Sequence, residues 1–499
     1  MLLVRAPTAF ILLVAVSSTS CSDDQRTGYS PIISNDASAG SSGSAGAGGT
    51  AGTAGAAGIS GTAGAGGSQA GAGGTGGQQD ASSPDAIDAS DDAQADAPIS
   101  PDAADSGYQP DPIPDPGQDP PAACPEALTN PDYFQFLDDL CKAKKHPSFE
   151  DRDLACPVMD SSATMQLKGG GTVTYAPASA PVVVDAAALA GIVPDTLNVA
   201  VILIKRVNGT PHYRYLSNGN HDVAFQPWSS TKFLAVANAA STLRVQSSYK
   251  VGLTASVDGI PLGDLVTSVH NYDDDPYSSN GLGRYFHNIG GRAKANDLIH
   301  QTWLGRPGTE TFGGNYGAAA PALGYAFVEP NSDSVTITPD NTTGPANHLS
   351  SYTEAEAIKR LALHREEASQ RLPGIQWADL RVLLYGAEGS AKYGPWGGMS
   401  ADTAIYLQSG HDIDYIENRS SGHWRIFSKL GLGTSGEFVN VGYACFPVLD
   451  PQMHAVDGWG REFVIAAQLD SGGSSWRERD RLLATYYRAI ITRIVDGRL

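Results

Sequence analysis

The sequence is poor in cysteine, in basic residues and in long apolar stretches, and each shortage excludes a class of protein. Only five of the 499 residues are Cys, and they do not form the close pairs that ligate zinc. Lys and Arg number 33 against 53 Asp and Glu, with no basic run of the kind that binds nucleic acid. Beyond the N-terminal run, no stretch is apolar for long enough to cross a bilayer as a helix. We therefore expect no nucleic-acid partner, no metal site and no membrane-spanning helix.

The first 20 residues have the pattern of a secretory signal peptide. Arg5 precedes an apolar run over residues 9–16, and small residues lead up to Cys21. This arrangement resembles the cleavage site of a bacterial lipoprotein, in which the cysteine carries the lipid. We expect an exported protein with a lipid anchor at Cys21 in the cell envelope, and simple secretion is the alternative.

Residues 21–120 lack the apolar side chains that a core requires. Residues 35–80 are almost all Gly, Ala, Ser and Thr, and residues 80–120 are rich in Asp, Ala and Pro. Such sequence cannot offset the entropy of ordering, which predicts a disordered tether. The tether contains 14 Asp and one Arg, so it holds most of the net charge of −20. An extension over 121–160 and a folded domain over 161–499 would follow it.

Four cysteines remain after Cys21, namely Cys124, Cys141, Cys156 and Cys445. An even number in an exported chain predicts up to two disulfides, with three possible pairings, and zinc is the competing interpretation. The bridges would fasten the extension to the main body.

The chain changes from strand-like to helix-like sequence near residue 229. Residues 198–205 and 212–217 are rich in branched and aromatic side chains, and the Asn-Gly pair at 208–209 is a hairpin turn signal. The sequence TKFLAVANAASTL, from residue 231, has apolar residues at intervals of three and four, which predicts a helix.

A serine and a lysine stand three residues apart at this junction. Side chains three apart share one face of a helix, so Ser229 and Lys232 can meet, whereas Ser230 and Thr231 point elsewhere. A lysine that is kept neutral can take the proton of a serine hydroxyl, which makes the serine a nucleophile. Taken alone, S-x-x-K is a weak signal that favours a helix-capping serine with a solvated lysine.

Two further motifs follow in different settings. The Ser-Ser-Asn of residues 278–280 lies in a polar turn between two helix-like segments, where it also fits an ordinary turn. The Lys-Leu-Gly of residues 429–431 ends a strand-like segment. A lysine there can hold a carboxylate or an oxyanion, and a glycine lets the backbone approach a ligand closely. The chain closes with a helix-like segment, WRERDRLLATYYRAIITRIV.

In this order, S-x-x-K, S-x-N and K-x-G resemble the motifs of the serine β-lactamases and penicillin-binding DD-peptidases, most closely the class A type. The connecting text FQPWSSTKFL and PLGDLVTSVH is also similar to that family. The resemblance covers about residues 185–495. It implies an α+β fold with an antiparallel sheet flanked by helices and an all-helical lobe, and it implies no metal or organic cofactor.

The resemblance implies catalytic roles for Ser229, Lys232 and Ser278 and substrate-binding roles for Asn280, Lys429, Gly431 and Leu432. Ser229 would attack a carbonyl with Lys232 as base, and Ser278 would relay the proton to the leaving nitrogen. Asn280 would orient Lys232 and the substrate amide, and Lys429 would place positive charge near the substrate carboxylate. The backbone N–H groups of Ser229 and Leu432 would form the oxyanion hole.

The sequence departs from the family pattern at several positions. Ser279 stands where Asp is usual, and Leu430 stands where Thr or Ser is usual. Another alignment of the second motif would instead place the aspartates at 273–275 in it. The best match for the glutamate that activates the deacylating water is Glu329, but Phe327 occupies the position one helical turn from Asn331. These departures argue against efficient penicillin hydrolysis. Residues 292–422 exceed what the family needs, which predicts an insertion.

We therefore expect a monomeric serine acyl-enzyme hydrolase that acts on β-lactams or D-Ala-D-Ala-type cell-wall peptides. The alternative is a degenerate module of the same fold that binds cell-wall peptide or a partner without turnover.

Overall fold

The computed structural model describes residues 155–271, 276–342, 344, 346–387, 397–400, 405–408, 413–433, 435–470 and 476–499. The predicted signal peptide, the tether, Cys21, Cys124, Cys141 and the aspartates at 273–275 lie outside these residues. No helix in the described ranges is both long enough and apolar enough to span a membrane.

The strands of the described residues follow in chain order: β1 (Thr164–Gln166), β2 (Thr172–Thr174), β3 (Ala176–Pro177), β4 (Val184–Asp185), β5 (Asn198–Val207), β6 (Thr210–Ser217), β7 (Ala224–Phe225), β8 (Ser256–Val257), β9 (Ile260–Pro261), β10 (Ala326–Val328), β11 (Ser334–Thr336), β12 (Leu349–Ser350), β13 (Arg425–Leu432), β14 (Phe438–Leu449) and β15 (Ala455–Leu469).

The α-helices of the same ranges are α1 (Lys232–Gln246), α2 (Leu262–Asn271), α3 (Ser279–Gly290), α4 (Arg292–Asp297), α5 (Ser351–Ala362), α6 (Trp377–Tyr385), α7 (Ile405–Gln408), α8 (Ile413–Arg419) and α9 (Trp476–Val495). A 3-10 turn over Trp228–Thr231 leads into α1, and a π-helical turn over Leu298–Thr302 follows α4.

The main sheet joins strands from the two ends of the folded domain. Its order is β13-β14-β15-β5-β6-β3, and these neighbours pair antiparallel, while β4 pairs parallel with β6. Asn208 and Gly209 connect β5 and β6 with φ values of 51° and 78°, which is the left-handed geometry of a tight hairpin. The predicted antiparallel sheet and the predicted hairpin are confirmed.

Both faces of the sheet are covered by helices, as predicted. Alternate residues of β5 point to opposite faces, so each face contributes to its own apolar core. Val199, Val201 and Leu203 pack with Leu483, Tyr487 and Ile490 of α9. Ala200, Ile202 and Ile204 belong to the core that contains α1, α2, α3 and α6.

The region that carries α1 to α4 and α6 is not all-helical, which corrects the prediction. A small sheet with the order β11-β10-β8-β9 lies within it. Asp258 and Gly259 turn the chain between β8 and β9, with φ values of 49° and 79°. Asp-Gly is a hairpin signal, but the flanking strands are too short to show alternation in the sequence.

Helix α5, within the predicted insertion, is fastened to the main sheet by buried polar contacts. Lys359 Nζ donates to Tyr215 Oη at 2.9 Å and to Glu356 Oε1 at 2.8 Å. Tyr215 Oη donates to Glu356 Oε2 at 3.1 Å. Charges that are removed from water need such partners, so this network fixes α5 against β6.

A disulfide joins Cys156 to Cys445 of β14, with a Cα–Cα distance of 6.0 Å. Among the pairings that the sequence left open, this one connects the end of the extension to the central part of the sheet. A bridge that closes a loop of 289 residues restricts the unfolded chain strongly.

We expect the double variant Cys156→Ala/Cys445→Ala to be less stable than the wild-type chain by about 2–4 kcal/mol. Thermal unfolding with and without reductant measures the effect. Reductant should lower the Tm of the variant less than it lowers the Tm of the wild-type chain. An equal Tm for variant and oxidised wild type would contradict this role.

Candidate active site

The candidate nucleophile lies on the 3-10 turn before α1. Ser229 is half-buried, whereas Ser230 and Thr231 are buried in the core. Trp228, directly before the serine, has a φ of 53°, in the left-handed region that residues with a side chain rarely adopt. Such strained backbone occurs where the surrounding structure holds a functional side chain in place. Ser229 is therefore the serine of this motif that a substrate can reach.

Lys232 begins α1 and is buried, with none of its side chain exposed to solvent. Its Nζ donates to Asn280 Oδ1 at 2.7 Å and to Ser279 Oγ at 2.9 Å. The same Nζ lies 5.5 Å from the centre of the Tyr316 ring. The first and second motifs therefore meet at the amine of Lys232.

The serine that contacts Lys232 in the second motif is Ser279 rather than Ser278. Ser278 is exposed and caps α3, where its Oγ accepts a hydrogen bond from Gly281 N at 3.1 Å. Helix α3 starts at Ser279, whose Oγ donates to Val269 O at 2.7 Å. The turn before α3 thus presents its hydroxyl to Lys232 one residue later than the S-x-N motif predicts. The relay role of Ser278 stays a prediction.

The third motif lies on β13, directly beside the Ser229 turn. Alternation along this strand places Lys429 and Gly431 on one face, and Leu430 packs into the core on the other. Lys429 is fully buried, and its Nζ donates to Leu430 O at 3.2 Å. Leu432, the predicted oxyanion residue, is half-buried at the end of the strand.

Gly431 lets β13 approach the Ser229 turn. A Cβ at this position would stand 2.4 Å from Pro227 O, 2.9 Å from Ser230 N and 3.1 Å from Ser229 N. These are backbone atoms, so no side chain can move aside to accept a methyl group. The close approach places the backbone N–H of Ser229 at the end of the strand that carries Lys429 and Leu432, as a shared oxyanion site requires.

We expect Gly431→Ala to separate β13 from the Ser229 turn. Overpacking of this kind lowers the free energy of unfolding by about 1–3 kcal/mol. The labelling of Ser229 should slow by more than this loss of stability explains, because the serine is moved out of position. Labelling by a fluorescent penicillin and thermal unfolding measure the two effects. Gly308→Ala is the matched control, because a Cβ at Gly308 meets no atom within 4 Å. Wild-type labelling in Gly431→Ala would show that the close approach is not needed.

A buried histidine lies within electrostatic reach of both lysines. Burial, then the ammonium groups of Lys429 and Lys232, hold the pKa of His270 well below its usual value. His270 lies in the last turn of α2 with 2 % of its surface exposed, so its ring is neutral at physiological pH. Because both lysines act on the same imidazole, the first and third motifs share one region of the molecule.

Glu329, the best sequence match for the family's deacylating glutamate, has another role. Glu329 Oε1 accepts from Gly252 N at 2.8 Å, and Thr254 Oγ1 donates to Glu329 Oε2 at 2.8 Å. Phe327, at the position that the family pattern gives to a glutamate, is fully buried in the core. Glu329 therefore serves to anchor the segment around Gly252.

Sequence reasoning missed Tyr316, His270 and Glu354. Tyr316 Oη lies 3.3 Å from Thr231 Oγ1, and burial raises the pKa of its phenol above the usual value. Glu354 contacts Ser230 Oγ from α5. None of the three stands in a motif. Tyr316 and Glu354 reach the site from distant parts of the chain, whereas His270 lies ten residues before Asn280.

The described residues contain no group of three or more His, Cys, Asp or Glu side chains that could hold a metal ion.

No family model matches the chain, and no curated protein matches it either. Solved structures similar to it include class A β-lactamases. A class A β-lactamase of the last common ancestor of Gram-negative bacteria is 15% identical, with a TM-score of 0.33, and the match covers 60% of this chain and 94% of that one. An ancestral class A β-lactamase is 14% identical, with a TM-score of 0.34 and coverage of 60% and 94%. A crystal structure of L2 complexed with relebactam is 14% identical, with a TM-score of 0.35 and coverage of 62% and 94%. TM-scores of this size carry no functional argument.

Proposed function

We propose that the chain is a serine acyl-enzyme hydrolase whose nucleophile is Ser229 and whose substrates are D-Ala-D-Ala-type cell-wall peptides or β-lactams. The observation that carries this proposal is the meeting of three distant motifs around one serine. Lys232 contacts the second motif, Gly431 abuts the Ser229 turn, and both motif lysines act on His270.

In the proposed reaction, Ser229 Oγ attacks the carbonyl carbon and its proton passes to Lys232 Nζ. The Ser229 N–H and the Leu432 N–H stabilise the oxyanion, and the amide bond breaks as the leaving nitrogen takes a proton. Asn280 and Ser279 orient Lys232. Lys232 gives the proton back to the leaving nitrogen through a serine of the second motif. The motif predicts Ser278 for this relay, whereas Ser279 is the hydroxyl that contacts Lys232.

Buried Lys429 also favours an anionic substrate. Its Nζ supplies positive charge in a region shielded from water, where a carboxylate is attracted more strongly than at an open surface. A D-Ala-D-Ala peptide and a penicillin each carry a carboxylate close to the scissile amide. The predicted export and Cys21 anchor would bring the domain to cell-wall peptide.

Deacylation is proposed to be slow, because Glu329 is engaged by Gly252 and Thr254. An acyl group attached to Ser229 should therefore accumulate. The engagement of Glu329 by Gly252 and Thr254 also favours the binding module, because a site without efficient deacylation can serve for binding.

Intact-mass spectrometry after incubation with a fluorescent penicillin tests the proposal. We expect one covalent adduct for each chain, which survives denaturation and is released slowly. Fluorescence that binds the native protein and leaves on denaturation would overturn the enzyme and support the binding module.

A further inference from the structure

The underside of the Ser229 turn rests on a carboxyl group from the insertion. Ser230 Oγ is completely buried and donates to Pro227 O at 2.6 Å. The same oxygen lies within hydrogen-bond distance of Glu354 Oε1, on the first turn of α5. Glu354 thus contacts the residue next to the proposed nucleophile.

The hydrogen bonds of Ser230 indicate whether the Glu354 carboxyl group is protonated. A serine hydroxyl has one proton, but Ser230 Oγ has two oxygen neighbours, Pro227 O and Glu354 Oε1. Both contacts are satisfied when Ser230 donates to Pro227 and the carboxyl group donates to Ser230. An ionised carboxylate has no proton to give, so Ser230 Oγ could donate to only one of the two oxygens. Pro227 O would then keep only its hydrogen bond from Ser230 N at 3.1 Å.

The other oxygen of the carboxyl group is held from the sheet. Gln468 Nε2 donates to Glu354 Oε2 at 3.1 Å and to Leu349 O at 3.3 Å. Gln468 and Glu354 are both fully buried. The carboxyl group therefore connects α5, β15 and the Ser229 turn.

The surroundings favour the protonated form. Burial is the largest influence and raises the pKa of Glu354 to about 8, although the hydrogen bonds with Ser230 and Gln468 act to lower it. Glu310 raises it further. The phenols of Tyr316 and Tyr487 also lie within electrostatic reach of Glu354, and burial raises the pKa of each. Neither phenol carries a positive charge that would stabilise an ionised Glu354.

We propose that Glu354 is a positioning residue, which donates a hydrogen bond to Ser230 as a neutral acid and so holds the Ser229 turn against β13. The link to the strand is Pro227 O, which accepts the Ser230 proton and also lies against Gly431. This inference rests on the proposed function, because Ser229 is the residue being positioned. When Glu354 ionises, the turn loses this donor and Ser229 loses its alignment.

The test compares Glu354→Gln and Glu354→Ala with the wild-type chain, since a glutamine can donate and accept as the neutral acid does. The labelling rate with a fluorescent penicillin is measured from about pH 6 to about pH 9.5. We expect the wild-type rate to fall as the pH rises above about 8. Glu354→Gln should label within about threefold of wild type at neutral pH and should lack this fall. Glu354→Ala should be about tenfold slower throughout.

Glu329→Gln is the matched control, because Glu329 is also a buried carboxylate with hydrogen bonds but does not contact the Ser229 turn. It should keep the wild-type pH profile. A rate for Glu354→Gln as low as that of Glu354→Ala at neutral pH, or a wild-type alkaline fall in Glu354→Gln, would overturn the inference.

Thermal unfolding of the same variants separates this inference from the proposed function. Folded Glu354 keeps a proton that the unfolded chain releases near its ordinary pKa of 4.5, so the contribution of this group to stability is lost as the pH rises from 4.5 to about 8. We expect the Tm of wild type to fall more over this window than that of Glu354→Gln. A wild-type chain that takes no label would refute the proposed function. Equal pH dependence of the two Tm values would refute the protonated Glu354.

Discussion

Replacing Ser229 with alanine is expected to abolish covalent labelling by a fluorescent penicillin while leaving the fold unchanged. The hydroxyl is the only group of this side chain that can form the ester, and its half-buried position means that its loss leaves no large cavity. The labelled fraction on a denaturing gel should fall to background. The free energy of unfolding should stay within about 1 kcal/mol of that of the wild-type chain.

The matched control is Ser334→Ala, a serine that is exposed on β11. It should label at the wild-type rate. Persistent labelling of Ser229→Ala would show that another side chain carries the acyl group, and the proposed mechanism would then be wrong.

Replacing Lys232 with methionine is expected to reduce the acylation rate by about 10²–10⁴-fold, the usual contribution of a positioned general base. Methionine has nearly the length of lysine and fills the same buried space, so the fold should survive. Asn280 Oδ1 and Ser279 Oγ each lose the hydrogen bond from Nζ, and we expect a fall of about 1–3 kcal/mol in the free energy of unfolding.

Lys250→Met is the control for the removal of a lysine charge, because Lys250 is largely exposed and pairs with Asp333 at 3.5 Å. Its labelling rate should match wild type. The measurement is the second-order rate constant of labelling for the two variants and the wild-type chain. A Lys232→Met variant that labels as fast as the control would exclude this lysine as the base.

The main sheet could be predicted because its strands consist of dense runs of branched and aromatic residues. The Asn-Gly turn at 208–209 and the closing helix α9 have strong local signals, and both lie where the sequence indicates. The short strands β8 to β11 have two or three residues each, too few for a period to be recognised. The insertion owes its place to contacts such as that of Lys359 with Tyr215, which no local pattern reveals.

The candidate site could be predicted only as far as its motifs extend. Ser229, Lys232, Asn280, Lys429 and Gly431 stand in recognisable patterns, and the structure brings these patterns together. The choice between Ser278 and Ser279 depends on where α3 begins, and a boundary of one residue is beyond sequence reasoning.

Contacts between residues that are distant in the sequence account for the rest. Glu354 lies 124 residues from Ser230, and Cys156 lies 289 residues from Cys445. In both pairs the partners meet because the sheet and α5 pack in one particular way. Residue type and spacing contain no information about such a meeting.

The identity of the acylated residue tests the central claim most directly. The chain is labelled with the penicillin and digested with trypsin, and the labelled peptide is sequenced by mass spectrometry. The account predicts an adduct on Ser229, within the peptide over residues 215–232. An adduct on any other residue, Ser230 and Ser278 included, would contradict it.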